Sequence, residues 1–125
     1  FANVGIYSQT AEQQYFPYIR PQENGTKSDI RYWNQTDNNG FGLRINSNKL
    51  FSASALHYAI NDLDDGAEKD QRHSPDIPKS KYTNLCIDGA QMGLGGTNSW
   101  GAWPLEKYRL HYQDREFNFS LSVVK

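Results

Sequence analysis

The chain has 125 residues, a net charge of −1 and 14% aromatic side chains. That length suits one domain and is about half of the roughly 250 residues a (β/α)₈ barrel needs. Balanced charge with many aromatics marks a globular chain rather than a disordered one, and it makes no electrostatic case for nucleic acid or an anionic membrane surface. No run of about 18 apolar residues occurs, so no helical bilayer span is expected. The single cysteine, Cys86, excludes an internal disulfide and a cysteine zinc site. A start at Phe1 without a signal-like apolar stretch reads as an excised or processed piece of something longer.

In chain order, short alternating segments dominate. Val4–Tyr7 and Tyr15–Arg20 are predicted strands. Ile30–Trp33 and Phe41–Ile45 flank Asp37-Asn38-Asn39-Gly40, and Asn-Gly suits the positive φ of a tight turn, so a hairpin is predicted over 30–45. Leu50–His57 is a further strand. Ala59–Asp65 can form two helical turns ended by Gly66, and residues 66–80 read as a solvated loop. Tyr82–Ile87 is a strand. Tyr108–Tyr112 and Phe117–Val123 alternate on either side of a turn, which predicts a second hairpin over 108–123. The sum is about eight strands with at least twice as much strand as helix: one all-β domain over 1–125, an antiparallel two-sheet sandwich with little helix.

Few residues point to chemistry. Gly93-Leu94-Gly95-Gly96 lacks the third glycine of a dinucleotide fingerprint, since Asn98 stands there, and Trp100-Gly101-Ala102-Trp103-Pro104 cannot open a good helix. His57, His73 and His111 are too far apart for a local metal motif, and His111 is expected to face solvent. Cys86 lies in an apolar stretch without a basic neighbour and reads as a buried, inert thiol. Asp62, Asp64, Asp65, Asp114 and Glu116 read as solvated turn carboxylates. They are not the opposed pair that glycoside hydrolysis needs, so no catalytic residue is assigned. Trp100 and Trp103 stand in a Gly/Asn/Ser stretch rather than in a strand. Trp100, beside Asn98 and Ser99, either stacks on the apolar face of a sugar or caps the sandwich.

Three ordered blocks carry a resemblance. They are Phe16-Pro17-Tyr18-Ile19-Arg20-Pro21-Gln22-Glu23-Asn24-Gly25 with Asp29–Trp33; Phe51–Tyr58; and Asn84–Trp100, a strand followed by Met92-Gly93-Leu94-Gly95-Gly96 and Ser99-Trp100. From about Tyr15 to Leu121 the chain resembles the C-terminal small-chain domain of the large bacterial β-galactosidases of glycoside hydrolase family 2. The resemblance implies the C-terminal part of a galactose mutarotase-like β supersandwich within a longer enzyme. It implies hydrolysis of terminal β-D-galactosides with retention, by two carboxyls in a separate barrel. The barrel is thus an expected partner, and the segment is expected to be inactive alone. Parent enzymes commonly use Mg2+ and Na+ in that barrel, and no cofactor is expected in this chain. Trp100, with Asn98, is expected to bind the galactoside aglycone at the active-site mouth. Thr97-Asn98 replaces the acidic pair common in the family, so no acidic role carries over, and Gly101-Ala102-Trp103 makes the loop bulkier. The rival readings are a free-standing carbohydrate-binding module and a structural sandwich without a ligand. Exposed strand edges are expected to allow self-association.

Overall fold

A five-residue turn, Asp37 to Phe41, organises the longest pairing in the protein. The computed structural model describes residues 3–17, 24–64, 67, 73–92 and 101–125. Strand β1 (Lys27–Thr36) leads through that turn into β2 (Gly42–Leu56). Asp37 N–H donates to the Phe41 carbonyl at 2.8 Å and Gly40 N–H to the Asp37 carbonyl at 3.1 Å. The Asp37 carboxylate accepts from Asn39 N–H and Phe41 N–H, and Gly40 takes φ +86°. The hairpin predicted over 30–45 therefore forms. Its positive φ falls on the glycine alone, in keeping with a type I turn closed by a left-handed residue.

The sheet has the order β1-β2-β3, where β3 is Asn84–Asp88, and β4 (Phe119–Val124) also pairs with β2. The β2–β4 pairing is antiparallel from Gly42↔Val124 to Ser47↔Phe119. Strand residues outnumber helical ones more than twofold among the described residues. Among the described residues the protein is all-β, mostly antiparallel and 13% helical, consistent with a β-sandwich.

Several predicted elements differ. Residues 3–10 form no strand, nor do Tyr15–Pro17; 18–20 lie outside the described residues. Apart from Phe41 and His57, the segments Phe41–Ile45 and Leu50–His57 are parts of one 15-residue strand, β2. The polar stretch between them stays extended because β4 pairs with it through Ser47 and Ser47 Oγ donates to the Asn118 carbonyl at 2.8 Å. The second hairpin does not form. Glu106–Tyr108 is a single 3-10 turn, and residues 109–112 form no strand. β4 pairs instead with β2, which offers it a six-residue register that a five-residue alternating segment cannot match. α2 (Ile60–Leu63) is one turn rather than two, and Gly66 lies outside the described residues. A short helix that was not predicted, α1 (Ala11–Gln14), is held by a capping box in which Thr10 and Gln13 exchange side-chain bonds with each other's N–H groups.

The chain divides into two compact units, Phe1–Lys27 with Ala53–Cys86 and Ser28–Ser52 with Ile87–Lys125. In the first, Leu56, Tyr58, Leu63 and Ile77 form the core, and the Tyr15 ring stacks on Tyr58 at 4.3 Å. In the second, Ile45 is fully buried, and its partner Leu121 on β4 is 56% exposed. Phe119 and Val123 are exposed as well, on the same face of β4 as Leu121.

Candidate functional site

The described residues that follow the glycine-rich stretch of sequence build an aromatic site in the second unit. Pro104 is buried, and the 3-10 turn after it is closed by Tyr108 N–H donating to the Leu105 carbonyl at 2.8 Å and Arg109 N–H to the Glu106 carbonyl at 3.1 Å. The turn reverses the chain, so Arg109 comes back over the residues that precede it. Its Nε donates to the Pro104 carbonyl at 2.8 Å, and its guanidinium meets the Glu106 carboxylate at 2.7 Å. These two acceptors fix a planar group, and its Cζ lies 5.4 Å from the centre of the Trp103 ring. The other Glu106 oxygen is 2.9 Å from His111 Nε2. Trp103 itself is 65% exposed.

The arrangement presents groups suited to binding. A guanidinium-backed indole offers a flat apolar surface, and Glu106, Arg109 and His111 place hydrogen-bonding groups around it. Among the described residues no group of three or more His, Cys, Asp or Glu could hold a metal ion. Asp64, Asp114 and Glu116 are exposed and Asp62 is half-buried, while Asp65 lies outside the described residues. A shallow hollow lined by Asn48, Lys49, Glu116 and Asn118 has a volume of about 180 Å³, below the roughly 300–1,000 Å³ of small-molecule sites. No helix among the described residues is long and apolar enough to cross a membrane.

The sequence-predicted ligand residues Trp100 and Asn98 lie outside the described residues. His111 is exposed as expected, although in a loop rather than on a strand. Cys86 is on β3 with a free thiol, but half-buried where full burial was expected, because β3 is only partly covered along its length. The Trp103–Arg109 pair was missed. Reading Tyr108–Tyr112 as a strand sent Arg109 to a polar sheet face. The available signal was Glu106 three residues before Arg109, the spacing of an ion pair across one helical turn.

Comparison with known proteins covers nearly the whole chain. The family profile described as "Beta galactosidase small chain" matches residues 2–122. The chain is 35% identical over 112 residues to β-galactosidase BgaC of Bifidobacterium adolescentis, covering 87% of this chain and 10% of that protein. It is 32% identical over 114 residues to a β-galactosidase of Streptococcus thermophilus, covering 90% of this chain and 11% of that protein. A β-galactosidase of Actinobacillus pleuropneumoniae is 31% identical over 124 residues, 99% of this chain and 11% of that protein. The chain thus spans about a tenth of the length of the curated relatives it matches.

Proposed function

Because the chain belongs to the β-galactosidase small-chain family, we propose that it is the C-terminal portion of a glycoside hydrolase family 2 enzyme that hydrolyses terminal β-D-galactosides such as lactose with retention. In that reaction one carboxyl protonates the leaving oxygen, and a second, about 5–5.5 Å away, forms the glycosyl-enzyme intermediate. Both carboxyls, and the Mg2+ and Na+ of the parent enzyme, belong to a barrel elsewhere in the longer chain. This segment supports the active-site mouth, where Trp100 stacks on the aglycone and Asn98 bonds its hydroxyls. The observation that carries the reading is the profile match over residues 2–122 combined with relatives about ten times longer. The exposed Phe119, Leu121 and Val123 support it too, since a strand face of this kind suits a segment that packs within a larger protein.

The test pairs two proteins. The purified 125-residue chain should not turn over a chromogenic galactoside, and the longer natural gene product should. Turnover by the short chain that survives removal of trace host enzyme would refute the proposal. In the longer enzyme, Trp100→Ala should raise KM for lactose more than for an activated aryl galactoside, with little change in Tm. A fall in Tm of many degrees with KM unaltered would make Trp100 a structural cap.

A further inference from the structure

We propose that Trp103, backed by Arg109, is a second aromatic platform that takes a sugar ring beyond the one held at the aglycone position, so that it favours oligosaccharide β-galactosides over disaccharides. The inference rests on the reading of the chain as part of a β-galactosidase. Its evidence is separate from that for Trp100.

Three observations converge. First, Trp103 is 65% exposed in this chain and so is open to a ligand. Second, the exposed ring is not loose. Arg109 lies over it at 5.4 Å, and Arg109 is held by the Pro104 carbonyl at 2.8 Å and by Glu106 at 2.7 Å. The guanidinium lies over the indole, and the residue as a whole keeps most of its surface in solvent. A cation over the ring favours one orientation of it before any ligand arrives, which lowers the ordering cost of binding. Third, the rim is polar in the way a sugar requires. Glu106 supplies acceptors, and Arg109 and His111 supply ring or guanidinium nitrogens, so hydroxyls at the edge of a stacked ring find both kinds of partner.

Chain geometry sets the scale. Trp103 is three residues from Trp100 in sequence, so their Cα atoms are separated by at most about 11 Å. A bound of this size allows both residues to meet one oligosaccharide. The carboxylate and the guanidinium are paired with each other, so the rim carries no net charge that would select an ionic ligand over a neutral, hydroxyl-rich one.

The experiment uses the longer enzyme that carries this segment. KM and kcat are measured for lactose, with one aglycone ring, and for β-1,4-galactosyl-lactose, with two. Trp103→Ala should raise KM for the trisaccharide about tenfold with kcat unchanged, the pattern of lost uniform binding, and leave lactose within about twofold. Trp103→Phe, which keeps a flat ring, should restore most of the trisaccharide KM, whereas Trp103→Leu should not. Arg109→Ala should raise the trisaccharide KM by a smaller factor, because the ring remains but is no longer held. A Trp103→Ala enzyme whose KM for both substrates matches wild type would overturn the proposal. So would parallel losses on both substrates with a lowered Tm, since a structural cap behaves that way. Trp100→Ala is run alongside. If it leaves lactose KM unchanged while Trp103→Ala still acts on the trisaccharide alone, the role of Trp100 fails and that of Trp103 stands.

Discussion

Asn24 and Phe16 are joined by a two-way clasp. Phe16 N–H donates to Asn24 Oδ1 at 3.0 Å, and Asn24 Nδ2 donates to the Phe16 carbonyl at 2.8 Å. Asn24 is almost fully buried, at 1% exposure. One amide therefore satisfies both backbone groups of a residue eight positions away and ties the two ends of the Phe16–Gly25 block together. The block that carries the family resemblance thus has a structural duty at its ends. Only an amide has a donor and an acceptor side by side in this geometry.

Asn24→Ala should lower stability by about 1–3 kcal/mol, since it strips partners from part-buried backbone groups. Asn24→Asp keeps the acceptor but loses the donor to the Phe16 carbonyl, so it should also destabilise. Urea unfolding of the three proteins checks this. Unchanged midpoints would show that water replaces the clasp without loss.

Two glycines at left-handed φ should respond differently to alanine. Gly40, at φ +86°, has open space where a Cβ would stand, whereas Gly25, at φ +74°, would place that atom 2.9 Å from the Gln14 carbonyl oxygen. Gly40→Ala should cost about 1–2 kcal/mol from backbone conformation alone. Gly25→Ala should cost more, because the neighbour is backbone and cannot swing aside. Thermal unfolding ranks the pair, and an equal or reversed order would contradict the contact.

Two lysines should titrate with opposite effects on stability. Burial holds the Lys27 ammonium below its ordinary 10.5, while its Nζ donates to the Gly25 carbonyl at 2.6 Å. The folded state releases that proton first, so this contribution to stability is present above 10.5 and is lost as pH falls through the folded value. Lys79 is raised above 10.5, chiefly by its hydrogen bond to Glu12 at 2.6 Å, so its contribution is full below 10.5 and is lost as pH rises through the higher folded value. Melting curves across this alkaline range should show Lys27→Met flattening the rise and Lys79→Met flattening the loss. Identical pH profiles for all three proteins would contradict both assignments. The Lys79 effect should be small, since both partners are exposed.

The outer edge of β4 should drive self-association of the 125-residue chain. Among the described residues β4 pairs only with β2, and Phe119-Ser120-Leu121-Ser122-Val123-Val124 contains neither charge nor proline. Sedimentation velocity over rising concentration should show association, and Leu121→Lys should weaken it by placing a charge on the strand. A chain that stays monomeric at high concentration would remove the edge as an association site.

The β1–β2 hairpin was legible because its signals are local. Asp37 and Gly40 close the turn with bonds that span at most five residues, and alternation on both sides sets the faces. The family blocks were legible for the same reason, as fixed residue types at fixed spacing. The partner of β4 was not legible. Alternation in Phe119–Val123 defines a strand and its two faces, but not which distant segment satisfies its backbone groups. Residues 42–47 won that role over 108–112 by offering six paired positions. Once β4 had gone to β2, the segment around Arg109 was left to close on itself through Glu106 and Pro104. That closure is what sets a guanidinium against Trp103, so the aromatic site follows from a long-range competition for hydrogen bonds that no short window of sequence contains.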